Sequence, residues 1–110
     1  MDYRIEYYSE EVEEHILALP DTLAARYVVL TRRMSAVGAN LGAPHTDSIG
    51  DGLFELRLKG AEGIARVFFC TLIGRRIMML HSFIKKTQKT PLREVEVAHK
   101  RMKEVKHANS

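Results

Sequence analysis

A chain of 110 residues, 45% hydrophobic and 28% charged, fits one globular domain spanning 1–110 and excludes a disordered or multidomain protein. No run of about 18 apolar residues is available to span a membrane, and the first residues hold no apolar signal core. The lone Cys70 excludes a disulfide framework and a cysteine-built metal site, so a cytoplasmic protein is expected.

The formal charge of +3 conceals an asymmetry. Residues 1–62 hold 6 Lys and Arg against 11 Asp and Glu, a balance of −5, whereas residues 63–110 hold 11 against 3, a balance of +8. So lopsided a field gathers an anionic partner, unless the two halves only neutralise each other in the fold.

Tyr3 to Tyr8 alternates, with Tyr3, Ile5 and Tyr7 on one face of a short strand. Ser9 then suits the N-cap of a helix whose first turn carries Glu10 and Glu11, where the dipole favours acid. Val12, Ile16 and Leu19 keep helical spacing until Pro20 stops the run. Asp21 is the expected cap of a second helix, in which Leu23, Tyr27, Leu30, Met34 and Val37 recur at helical steps and Gly38 or Gly42 gives the end. The short Pro20-Asp21 link implies an antiparallel helical hairpin. From Gly38 to Gly52 the chain reads as loop.

Three strands follow. Leu53–Lys59 sets Phe54, Leu56 and Leu58 against Glu55, Arg57 and Lys59. Ile64–Leu72 and Arg76–Ile84 are nearly continuous apolar runs, so at least one lies centrally in the sheet. The short turns between them favour antiparallel hairpins. Thr90 as cap and Pro91 at the first helical position open a last helix with an apolar stripe of Val95, Ala98, Met102 and Val105. The order is β-α-α-β-β-β-α, an α+β fold with one small, mostly antiparallel sheet.

The cations on these strands are the informative residues. Arg57 and Arg66 sit inside apolar runs with little acid around them, and a guanidinium on a scaffold is the usual fork for two phosphate oxygens. The plainer reading of Arg57 is a surface residue beside Glu55, a contact worth under about 1 kcal/mol. Lys85 and Lys86 end the last strand, one to each face, so one reaches the arginine surface. Lys89 and Arg93 stand at the entry of the last helix, whose free amides add anion donors. His81 shares the parity of Met79 and Phe83, and is either a hydrogen-bonded sheet histidine or an acid–base group beside the phosphate site. His15, His45, His99 and His107 are scattered and show no metal-ligand spacing. No phosphate loop, dinucleotide glycine pattern or nucleophile elbow is present.

Three blocks together resemble one family. Gly52-Leu53-Phe54-Glu55-Leu56-Arg57, Ala65-Arg66-Val67-Phe68-Phe69 and Leu80-His81-Ser82-Phe83-Ile84-Lys85-Lys86-Thr87-Gln88-Lys89-Thr90-Pro91 resemble the RelE/HigB superfamily, in its phage-derived Gp49-like branch of type II toxin–antitoxin toxins. The resemblance implies a RelE-like fold: a twisted, mostly antiparallel sheet with a helical hairpin packed on it and a C-terminal helix. It implies metal-independent cleavage of mRNA on the ribosome, without a cofactor, by attack of the ribose 2′-OH on the adjacent phosphate. It also implies neutralisation by a cognate helix-turn-helix antitoxin of the HigA kind.

Carried onto these positions, Arg57 and Arg66 are phosphate and transition-state clamps, and Lys85 and Lys86 hold RNA or supply a proton. His81 is a candidate acid or base, and Lys59, Lys89 and Arg93 are further RNA contacts. The alternative is a non-catalytic RNA- or partner-binding domain, either an inactivated toxin or a phage-derived protein, with the same basic surface and no poised acid or base.

Overall fold

Alternating apolar side chains from Leu53 onward build the frame on which every other element packs. The computed structural model describes residues 2–109. Along the chain it gives β1 (Arg4–Tyr7), α1 (Glu10–Leu17), α2 (Asp21–Val37), β2 (Thr46–Gly50), β3 (Leu53–Gly60), β4 (Gly63–Leu72), β5 (Arg76–Ile84) and α3 (Leu92–Ala108). The five strands form one sheet in the order β1-β5-β4-β3-β2, antiparallel throughout except where β1 runs parallel to β5. The most continuously apolar strand, β4, is central, where both of its faces are covered.

The two faces carry separate cores. On one, Val12, Ile16, Leu23, Tyr27, Leu30 and Met34 of α1 and α2 pack on Leu56, Leu58, Ala65, Val67, Phe69, Ile77 and Met79. On the other, Ala98 and Met102 of α3 pack on Leu53, Phe68, Cys70, Met78 and Leu80. The result is a three-layer α+β domain, with the two consecutive helices on one face and the C-terminal helix on the other.

Local sequence accounts for much of this. Ser9 caps α1, its hydroxyl accepting from the Val12 amide at 3.2 Å. Gly38, with φ of 113°, ends α2 in a conformation that glycine adopts freely. Four of the five residues of the expected α2 stripe are buried, whereas Val37 is 73% exposed in the last turn.

Four details differ from the sequence expectation. First, the stretch read as loop contains β2, an edge strand pairing Thr46 with Leu56 and Asp47 with Glu55. Its residues, TDSIG, include one large apolar side chain, so there was no alternation to read. Second, Asp21 does not cap α2. The Thr22 amide instead donates to Glu62 Oε1 at 2.7 Å, and the Glu62 amide donates to Thr22 Oγ1 at 3.3 Å, so the cap comes from the β3–β4 turn.

Third, Thr90 does not cap α3, which starts after Pro91 with no side-chain cap. Fourth, Leu80 is an extra residue in β5: Phe68 faces His81 while Phe69 faces Met79. This bulge breaks the two-residue alternation, so His81 lies on the α3 face and Met79 on the other. Arg101 donates to the Leu80 carbonyl at 2.8 Å, tying α3 to the bulge.

Because the α2 cap is tertiary, Glu62→Ala is expected to lower unfolding stability by about 1 kcal/mol, as loss of a helix cap does. Asp21→Ala is expected to cost less than about 0.5 kcal/mol, a dipole contribution only. Urea unfolding of the two variants side by side checks the order.

Candidate nucleic-acid interface

The register of the sheet stacks the polar face of β3 into rows. Asp47, Glu55, Phe68 and His81 align across four strands. Arg57, Arg66 and Phe83 form the next row, and Lys59, Ile64 and Lys85 the last. The first turn of α3 meets the sheet at His81, where Glu94 Oε1 lies 3.2 Å from His81 Nε2. The arginine and lysine rows therefore lie beyond the first turn of α3, on a part of the face that no helix of the described residues covers.

Glu55 organises the arginines. Its side chain is 5% exposed, and its Oε1 lies 3.5 Å from Arg57 Nε and 3.5 Å from Arg66 Nε. Arg57 also donates from Nη2 to Asp47 Oδ2 at 3.0 Å, on the rim of β2. The expectation of cations with little acid around them is thus corrected at close range: one buried carboxylate serves both guanidiniums, and Asp47 serves the outer one.

Arg66 is the more enclosed of the two, with 11% of its side chain exposed against 37% for Arg57. Burial pushes the Arg66 pKa down from the ordinary arginine value; Glu55 opposes that shift and Arg57 adds to it. Arg66 Nη1 donates to its neighbouring Ala65 carbonyl at 3.2 Å, but the buried Nε has no partner of hydrogen-bond geometry. Charge, more than directional bonding, holds that guanidinium.

Two adjoining bays open on these rows and share Ile64 and Arg66. One, of about 340 Å³, is lined by Arg26, Pro44, His45, Arg57, Lys59, Ile64 and Arg66. The other, of about 470 Å³, adds Lys85, Lys86, Thr87 and Gln88. Together they form a groove across the open end of the sheet. Lys59, Lys85 and Lys86 have no ion-pair partner among the described residues, so their charge faces solvent unneutralised. A larger cleft of about 530 Å³ lies along α3 between Asp51, His99, Met102, Lys103 and Lys106. It contains neither sheet arginine, and its cations come from a single exposed helix face.

The groove brings together five of the eight residues singled out from the sequence: Arg57, Lys59, Arg66, Lys85 and Lys86. Three lie outside its two bays. Lys89 sits in the turn before α3, its carbonyl accepting from Thr87 Oγ1 at 2.8 Å, and Arg93 projects from the first turn of α3. His81 lines a different cleft, with Tyr8, Ser9, His15 and Arg101. Its ring packs between Phe68 and Phe83, with centroids at 6.5 and 6.2 Å, and its Nε2 is occupied by Glu94. That is the setting of the hydrogen-bonded sheet histidine.

Two groove residues escaped the sequence reading. Arg26 comes from α2, across the edge of β3 that β2 leaves open. His45 precedes β2, and its carbonyl accepts from the Arg57 amide at 2.8 Å, which continues the β2–β3 register. Only the pairing of β2 with β3 would have pointed to it. No group of three or more His, Cys, Asp or Glu side chains is placed to hold a metal ion among the described residues.

The ion cluster yields a stability prediction. Glu55→Ala leaves an enclosed arginine without its carboxylate and is expected to cost about 3 kcal/mol, as breaking a buried pair does. Asp47→Ala removes only the exposed partner and is expected to cost under about 1 kcal/mol. Chemical denaturation of both variants measures the difference.

Residues 14–103 match the family described as Phage derived protein Gp49-like (DUF891), a span that takes in both arginines, the paired lysines and most of α3. No curated protein matches the chain.

Proposed function

We propose that this chain, which belongs to the Gp49-like family within the RelE/HigB-like toxins, is the toxin of a type II toxin–antitoxin pair and cleaves mRNA on the ribosome. One observation carries the reading. Five strand-borne or strand-end cations, Arg57, Lys59, Arg66, Lys85 and Lys86, line two adjoining bays that share Ile64 and Arg66, on the sheet beyond the first turn of α3. A groove of that sign suits a single phosphate backbone with its bases turned outward.

The chemistry follows from what the groove supplies. Two guanidiniums on adjacent strands, both held in place by the charge of Glu55, present their remaining donors to non-bridging phosphate oxygens. Attack of the 2′-oxygen builds negative charge on those oxygens, and preorganised cations stabilise it without reorganising at the moment of reaction. The rigid sheet keeps the forks in place, and Glu55 offsets the mutual repulsion of the arginines. Lys85 and Lys86, at the far end of the groove, protonate the departing 5′-oxygen or hold the strand beyond it. An adjacent-gene helix-turn-helix antitoxin is the proposed partner, and the cytoplasm, where translating ribosomes are, the proposed location.

The non-catalytic alternative shares the groove but predicts binding alone. Induced expression separates the two. Wild-type protein is expected to arrest growth and shorten ribosome-bound mRNA, and Arg66→Ala to lower the cleavage rate by about 10²–10³-fold, as loss of one transition-state donor does. Unchanged growth and intact mRNA under wild-type expression would remove the toxin reading.

A further inference from the structure

The groove as described clamps phosphate but lacks a group to take the proton from the attacking hydroxyl. We infer that His45 is that group, the general base of the cleavage; the assignment rests on the ribonuclease reading above. Lining residues of the two bays leave little choice. Arg26, Arg57, Arg66, Lys59, Lys85 and Lys86 are side-chain types that already carry their proton at neutral pH. Thr87 and Gln88 are not bases. Neither nearby carboxylate is free: Glu55 is buried between two guanidiniums, and Asp47 accepts from Arg57. Histidine is the remaining type that exchanges a proton near neutrality, and His45 is the histidine lining the groove.

Its placement fits the task. Backbone bonds on both sides fix the residue: its amide donates to the Gly42 carbonyl at 2.9 Å, and its carbonyl accepts from Arg57 at 2.8 Å. With Thr46 opposite Leu56, the register sets His45 opposite Arg57, so a phosphate held by Arg57 and Arg66 lies beside it. Its imidazole has no hydrogen-bond or ion-pair partner among the described residues, in contrast to His81, whose Nε2 is bound to Glu94. The charged groups around it are Arg26 from α2, Arg57 and Lys59 from β3, and Arg66 from β4.

The step balances. A neutral imidazole nitrogen of His45 takes the 2′-OH proton, and the freed electron pair forms the bond from O2′ to phosphorus. The bond from phosphorus to O5′ breaks, and O5′ leaves with its electron pair and is protonated by a groove lysine or water. One product ends in a 2′,3′-cyclic phosphate and the other in a 5′-hydroxyl. Imidazolium returns its proton to solvent.

The test uses the full chain with programmed ribosomes under single-turnover conditions, comparing wild type, His45→Gln, His45→Ala and Arg66→Ala. His45→Gln is expected to cleave about 10²–10⁴-fold more slowly, with unchanged ribosome binding and unfolding midpoint, and with a flatter dependence of rate on pH than wild type. Added imidazole is expected to restore part of the His45→Ala rate. An mRNA with sulfur in place of the bridging 5′-oxygen, whose leaving group needs no acid, is expected to leave the His45→Gln defect in place. Cleavage by His45→Gln within about threefold of wild type, with Arg66→Ala inactive, overturns the assignment and leaves the ribonuclease reading standing. Recovery of His45→Gln on the sulfur substrate overturns it in favour of an acid role. Absence of cleavage by wild type overturns both.

Discussion

One buried carboxylate makes the basic groove possible. Two arginines on adjacent strands, directly opposite each other, repel, and enclosing one of them adds a desolvation cost. Glu55 stands one pair further along the same face of β3, with its Oε1 at 3.5 Å from each Nε. It lowers the cost of holding two guanidiniums side by side, and it takes their inner edges, so the outer donors face the groove. The pair alone would be a liability in the sheet; with Glu55 it is a fixed two-pronged anion receptor.

The rest of the architecture serves that receptor by leaving it uncovered. α3 packs Ala98 and Met102 over one end of the sheet and stops at the row of His81, where Glu94 pins its first turn. The bulge at Leu80 turns His81 to this face, and Arg101 locks the bulge to the helix. At the other edge β2 is short, so the edge of β3 beyond Arg57 remains open, with Arg26 and His45 on either side of it. No helix of the described residues is long and apolar enough to cross a membrane.

The parts legible in the sequence are those governed by short-range pattern. Apolar alternation located β3, nearly continuous apolar runs located β4 and β5, helical spacing located the three helices, and the short turns between the strands pointed to antiparallel hairpins. What escaped was set by tertiary contacts. β2 has no apolar alternation because it is an exposed edge, and its existence depends on β3 being there to pair with. The α2 cap comes from Glu62, which lies 40 residues along the chain from Thr22. A single inserted residue at Leu80 separates His81 from Met79, so the two no longer share a face as their parity implied, while His81 stays on the face of Phe83. Arg26 and His45 reach the groove from elements whose positions only the assembled sheet defines, so no local motif marked them. Glu55 was visible as a neighbour of Arg57, but its burial and its contact with Arg66 were not.

The central claim is that the groove holds an RNA backbone for attack by its own 2′-hydroxyl. Its most direct test is cleavage, by the purified protein, of an mRNA positioned on the ribosome that carries a single 2′-deoxy substitution at the mapped scissile nucleotide. The account predicts that the all-ribose message is cut to a 2′,3′-cyclic phosphate end and that the substituted message survives intact. Cutting of the deoxy message at the same position, or of neither message, would contradict it.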